Sequence, residues 1–131
     1  MIETAEGYRN VEGIARVDGI DGVYIGPFDL TLGLYGNDLP LGIDREESEM
    51  LEAIERILNA AHAAGKKAGI HCGSPEYAAR MADLGFDLVV VATDLVLSSS
   101  ASKSTLEATR RLTSGDDGAG EQSAPPSNSP Y

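Results

Sequence analysis

The stretch that most constrains the fold is Gly22-Val23-Tyr24-Ile25-Gly26-Pro27-Phe28-Asp29-Leu30. An apolar, β-branched run delivers the chain into a Gly-Pro turn, and an acid stands just past the turn. Many α/β proteins present a carboxylate at the carboxyl end of a buried strand in this way. The loop after this strand is therefore the candidate functional site.

The rest of the chain alternates around that strand. Residues 1–4 read as the end of a strand, so the chain begins mid-element. Val11, Ile14, Ala15 and Val17 recur at roughly helical spacing and predict a short helix over residues 8–17. Residues 30–42 are rich in glycine yet apolar, and read as an ordered loop with a helical turn. Asp44 followed by Glu47 resembles a capping box, and Met50, Leu51, Ile54, Ile57, Leu58 and Ala61 predict an amphipathic helix over about residues 45–64, ended by Gly65. A short strand over residues 67–72 follows, then a helix over about residues 75–84, with Ser74 as N-cap, Pro75 at its first position and Gly85 at its end. Residues 86–92, apolar apart from Asp87, read as a parallel strand covered on both faces. Asp94 is expected to cap a last helix over about residues 96–112. Such alternation argues for βα units on a parallel sheet, an α/β class that binds ligands at the carboxyl ends of its strands. Residues 113–131 are acidic and rich in Ser, Pro and Gly, too poor in apolar surface to offset ordering entropy, and are expected to be a disordered tail behind a domain of residues 1–112.

Charge narrows the possible partners. The 131 residues carry 21 acids against 10 bases, a net charge of −11, which disfavours the phosphate contacts of nucleic-acid binding. The acids are scattered, as on a solvated surface. Cys72 is the single cysteine and has no internal disulfide partner, so a reducing cytoplasm is the expected compartment. The amino terminus has neither a basic nor an apolar targeting region, and no run approaches the ~18 apolar residues of a membrane span.

Glu3 and Asp29 each follow or end a strand, which places both at the same rim of a parallel sheet. Two carboxylates converging there suit a hard divalent cation such as Mg²⁺ or Mn²⁺. Spacing alone leaves open a surface acid for Glu3 and a turn or helix cap for Asp29. His71 reads either as a cavity residue at a strand end or as a structural histidine, and His62 as a surface residue. Cys72 reads as a small buried hydrophobe with no base to activate it. Asp94 reads as a helix cap, though it too stands at the active rim, and Ser98-Ser99-Ser100 as a helix surface. Lys66 and Lys67 precede their strand at the opposite rim and Lys103 lies on the last helix, so no lysine is placed for Schiff-base chemistry.

Ile2-Glu3-Thr4, residues 19–30 with Gly26-Pro27-Phe28-Asp29-Leu30, residues 65–70, and Leu84-Gly85-Phe86 running into Val91-Ala92-Thr93-Asp94 together resemble the C-terminal half of the HpcH/HpaI aldolase (aldolase/citrate lyase) family. The likeness spans about residues 1–112, and its most specific part is Glu-Thr followed by Gly-Pro-x-Asp-Leu. It implies a TIM (β/α)₈ barrel, here from the end of strand 5 to strand 8, and a class II pyruvate aldolase such as 4-hydroxy-2-oxoheptanedioate or 2-dehydro-3-deoxyglucarate aldolase. The implied reaction is reversible retro-aldol cleavage of 4-hydroxy-2-oxoacids to pyruvate and an aldehyde, through an enolate stabilised by Mg²⁺, Mn²⁺ or Co²⁺. Carried over by position, Glu3 and Asp29 bind the metal, while Gly26, Pro27, Phe28 and Asp29 form the turn that holds the pyruvate carboxylate. Family members usually have a small or polar residue in place of Phe28, a change that a backbone role tolerates. His71 stands where the family often lines its substrate cavity with an apolar residue. The family's arginine and acid-base histidine fall in the first half of the barrel, and nothing here matches them. The expectation is an incomplete site, with three explanations open: a truncated or mis-started gene, a split enzyme whose N-terminal half is a separate chain, or a self-associating remnant without catalysis. A non-catalytic βα module and the citrate lyase or malyl-CoA lyase branch are the alternative expectations.

Overall fold

The computed structural model describes residues 1–114, and the reading of residues 115–131 as a disordered tail lies outside them. Among the described residues the elements are α1 (Ala5–Arg9), α2 (Val11–Ala15), β1 (Gly22–Ile25), α3 (Pro27–Tyr35), α4 (Ser48–Ala63), β2 (Lys67–His71), α5 (Pro75–Leu84), β3 (Leu88–Val90) and α6 (Asp94–Ser114). Residues 1–93 form one compact unit and α6 begins a second.

In the first unit three parallel strands lie in the order β1-β2-β3, with Gly22 to Ile25 opposite Lys67 to Ile70, and Gly69 to His71 opposite Leu88 to Val90. Ile2 extends the sheet on the other side of β1 through a parallel bridge to Ile25, its N–H donating to the Tyr24 carbonyl at 2.9 Å. Spatial order thus follows chain order with no reversal, the winding of a barrel rather than of a doubly wound sheet.

Pleating sends alternate residues to opposite faces. Val23, Ile25, Ala68 and Ile70 point to the helix side and are 8, 0, 0 and 0 % exposed. They pack with Met50, Ile54, Ile57 and Ala61 of α4, with Tyr77, Ala78 and Met81 of α5, and with Ile2 and Val11. Each such fully buried aliphatic side chain stabilises by about 1.5–3 kcal/mol. The Arg56 guanidinium ties the short helices to α4, donating twice to the Glu12 carboxylate (3.1 Å each) and lying 4.4 Å over the Tyr8 ring.

Several boundaries differ from the sequence expectation. The helix expected over residues 8–17 starts earlier and breaks in two at Asn10, because the Thr4 hydroxyl accepts the Gly7 N–H at 3.0 Å and caps α1. Residues 27–35, read as a turn and loop, are a nine-residue helix with Gly26 as N-cap and Pro27 at its first position. Leu30 and Thr31 are its buried stripe, and Gly33 marks a close approach rather than a break. The capping box is not formed: Glu47 occupies the N-cap position of α4 but its side chain accepts from Arg45 and the Glu46 N–H rather than capping the helix, and Asp44 instead accepts the Gly73 N–H and the Ser74 hydroxyl, both at 2.6 Å. The last strand spans only Leu88–Val90 and is covered on one face, since Val89 packs on the core while Leu88 is 56 % exposed. The α5 boundaries agree with expectation, with Ser74 Oγ accepting the Tyr77 N–H at 3.2 Å.

The second unit, as far as it is described, is the α6 helix, with Asp94 in its first turn and Thr113 and Ser114 still helical. No described helix is long and apolar enough to cross a membrane.

Candidate active site

Glu3, Gly26, Pro27, Phe28, Asp29 and His71, all singled out from the sequence, line one cavity of about 320 Å³ together with Met1, Tyr24 and Ile43. The cavity lies at the carboxyl ends of the strands, where Ile25 ends β1 and His71 ends β2.

Backbone contacts bring the two acids together. Gly33, one turn along α3 from Asp29, faces the chain at Glu3: a Cβ built there would stand 2.6 Å from the Glu3 carbonyl oxygen and 3.0 Å from Thr4 Cα. Helix α3 therefore rests directly on the Glu3–Thr4 backbone, and only glycine permits that approach. The Glu3 side chain in turn lies across Gly26, where a Cβ would collide with Oε1. The first turn of α3 supplies Asp29 and leaves the Phe28 and Asp29 N–H groups without intrahelical acceptors, while Leu30 N–H closes on the Gly26 carbonyl at 2.9 Å. Neither carboxylate has a hydrogen-bond or ion-pair partner among the described residues. Nor is any group of three or more His, Cys, Asp or Glu gathered among them, so a cation held here would take its other ligands from water or substrate.

The remaining wall comes from β1, β2 and the segment before α4. The Tyr24 hydroxyl and His71 Nδ1 are 3.3 Å apart above Gly69, which carries no side chain to separate them. Burial raises the Tyr24 phenol above its usual range, with the nearby Cys72 adding to the effect. Ile43 reaches the cavity because Asp44 is tied to the start of α5 and Glu46 is paired with Arg80 at 2.5 Å. Tyr24 was legible in principle, since strand alternation puts it on the face opposite Val23 and Ile25. Ile43 carries no local signal, because contacts some thirty residues away place it.

Other candidates are not among the residues that line this cavity. Cys72 is fully buried, and burial, then the Asp44 charge, pushes its thiol up to about 11. His62 is exposed and its Nε2 lies 3.0 Å from Asp87 Oδ2. Lys66 donates to the Ile20 carbonyl (2.7 Å) and Lys67 to Asp87 (2.6 Å), both at the amino end of β2, away from the cavity. Asp94 and Ser98 to Ser100 belong to α6.

A parallel sheet wound in chain order, with two acids and an open helix N-terminus at its carboxyl rim, defines a section of a (β/α) barrel with a candidate ligand site at that rim. The family model for HpcH/HpaI aldolase/citrate lyase matches residues 1–101. A hydroxypyruvate/pyruvate aldolase of Rhizorhabdus wittichii is 46% identical over 112 residues, 86% of this chain and 43% of that protein. A 4-hydroxy-2-oxo-heptane-1,7-dioate aldolase of Salmonella paratyphi B is 39% identical over 99 residues, 74% of this chain and 35% of that protein. The crystal structure of a family protein from Burkholderia cenocepacia superposes with a TM-score of 0.72 at 31% identity, over 83% of this chain and 40% of that one. The chain belongs to the HpcH/HpaI aldolase/citrate lyase family, and its fold is part of that family's TIM barrel. It spans about two fifths of the length of these relatives.

Proposed function

We propose that this chain forms one wall of a divalent-metal-dependent aldolase site, which holds a 2-oxoacid such as pyruvate and serves the reversible retro-aldol cleavage of 4-hydroxy-2-oxoacids to pyruvate and an aldehyde. The observation that carries this reading is the convergence of two unpartnered carboxylates and the open N-terminus of α3 on one cavity. The family and the names of the aldolase relatives point the same way.

Glu3 and Asp29 are the residues that would hold the cation: both offer hard oxygen donors, and no lysine or arginine competes for either among the described residues. Mg²⁺, Mn²⁺ or Co²⁺ bound there would polarise the oxoacid carbonyl and favour negative charge on its oxygen. The chain's own share is binding and orientation. The Phe28 and Asp29 N–H groups, at the positive end of α3, suit the substrate carboxylate, and Gly26 lets the ligand approach the backbone. Phe28 and Ile43 give the cavity apolar sides, and His71 a polar one.

The inner face of the sheet favours a second component. Leu88, opposite Gly69 on the face that carries Tyr24 and His71, is 56 % exposed, a position that a complete barrel covers with its other strands. The partner is then a polypeptide supplying the remaining βα units, or further copies of this chain. If nothing supplies them, the chain is a binding module without turnover.

Calorimetric titration with Mn²⁺, run beside a pyruvate-release assay on a 4-hydroxy-2-oxoacid, tests the reading. The chain alone is expected to bind Mn²⁺ with no efficient turnover, and Asp29→Ala to abolish saturable binding. Unchanged Mn²⁺ binding in both Asp29→Ala and Glu3→Gln would sink the metal assignment. Efficient turnover by the chain alone, lost in Asp29→Ala, would overturn the need for a second component.

A further inference from the structure

We propose that Tyr24 is a positioning residue: it fixes the tautomer of His71 so that Nε2–H is presented as a neutral donor to the cavity, where it takes a hydroxyl oxygen of the substrate. The inference deepens the aldolase reading and rests on it.

The pair is built by strand register. Tyr24 lies directly opposite Gly69, which makes His71, two residues on, its diagonal neighbour on the same face. Both side chains line the cavity that also holds Glu3 and Asp29. The phenol reaches His71 only because Gly69 leaves the floor open: a Cβ there would stand 2.8 Å from Tyr24 Cδ2 and 3.4 Å from Leu88 Cβ. The hydroxyl oxygen then lies 3.3 Å from Nδ1, at the long end of the hydrogen-bond range.

A neutral imidazole has one N–H and one acceptor nitrogen, and the partner of one nitrogen decides the role of the other. Among the described residues the Tyr24 hydroxyl has no acceptor besides Nδ1, and His71 Nε2 has no protein partner. With the phenol donating to Nδ1, the ring proton sits on Nε2. The cavity then presents carboxylates from Glu3 and Asp29 on one side and a neutral donor from His71 on another. A ligand oxygen fits that donor, whereas a methyl group there would leave it unpaired. The wall should therefore discriminate a hydroxylated oxoacid from its deoxy analogue.

The test is long-range ¹H–¹⁵N NMR of the full chain with labelled histidine, near neutral pH. Its two histidines are told apart with a His62→Gln variant. Wild-type His71 is expected as the Nε2–H tautomer, and Tyr24→Phe is expected to remove that bias without moving the His62 signals. Gly69→Ala, which displaces the ring while keeping the phenol, should weaken the bias as well. Hydroxypyruvate added with Mg²⁺ should shift His71 Nε2, and Tyr24→Phe should weaken hydroxypyruvate about three- to tenfold, the worth of one hydrogen bond, with less than a twofold effect on pyruvate. An Nδ1–H tautomer in the wild type, or a bias unchanged in Tyr24→Phe, overturns the proposal. Hydroxypyruvate that moves the Phe28 and Asp29 amides but not His71 overturns it alone. An oxoacid that moves neither overturns the aldolase reading and this proposal together.

Discussion

Replacing Gly33 by alanine should destabilise the protein, although the same change in an ordinary helix stabilises it. Alanine inside a helix is favoured over glycine by about 0.5–1 kcal/mol. At Gly33 the added methyl group meets backbone, 2.6 Å from the Glu3 carbonyl and 3.0 Å from Thr4 Cα, so no side-chain rotation relieves the contact. A backbone overlap this close belongs to the upper part of the overpacking range, about 2–3 kcal/mol, which less the helix gain leaves a net loss of about 1–2.5 kcal/mol. Gly13, inside α2, is the internal control, since a Cβ there meets nothing within 4 Å and Gly13→Ala should gain about 0.5–1 kcal/mol. For a unit of this size 1 kcal/mol moves the melting temperature by about 4–8 °C. Thermal unfolding followed by circular dichroism should therefore show Gly33→Ala lower by about 5–15 °C and Gly13→Ala higher by about 3–6 °C. Forcing α3 off the Glu3 backbone also separates the two acids, so Mn²⁺ binding should weaken in Gly33→Ala and not in Gly13→Ala. A Gly33→Ala protein melting at or above the wild type would refute the view that α3 is seated on Glu3.

Asp87 carries a pH-dependent share of stability. The Lys67 ammonium, then the Ala68 N–H and the His62 ring, hold its carboxyl well below the usual carboxylate range. A carboxyl depressed in the folded state stabilises fully above its unfolded value, about 3.9, and loses that contribution as pH falls through the folded one. The difference between the urea midpoints of wild type and Asp87→Asn should be larger at pH 5 than at pH 3, narrowing as pH falls below about 4; a difference that does not narrow by pH 3 would contradict this. Cys72, buried with its thiol pushed up to about 11, should react with an aromatic disulfide reagent only slowly in the folded protein and quickly in urea. Equal rates in the two conditions would place the thiol outside the core.

Local chemistry made the α5 boundaries legible, because Ser74, Pro75 and Gly85 act within one turn of where they stand. Asp44 and Glu47 have the spacing of a capping box but not its bonds, since Asp44 is engaged across 29 residues by Gly73. No local pattern reports such a contact, and for the same reason Ile43 could not be assigned to the site. Gly33 failed as a signal in the opposite sense. Glycine in an apolar stretch reads as a break, whereas here it marks where a helix touches the backbone beside the first acid. The acids themselves were found through a family motif, because spacing alone left both with ordinary surface roles.

The strands divide labour between their two faces. Val23, Ile25, Ala68 and Ile70 hold the sheet to its helices, while Tyr24, Gly26 and His71 face the cavity. Substitutions on the second face remove little of the buried area that holds residues 1–93 together, so they should alter ligand preference at small cost in stability. Gly26, Gly33 and Gly69 are the exceptions. Each is a contact point at which a side chain would strike Glu3 or Tyr24, so each ties the geometry of the site to the packing of the backbone. Positions 24 and 71 are free to vary with the substrate, and Gly69 with position 24, whereas Gly33, whose neighbours are backbone atoms, must stay for α3 to rest beside Glu3.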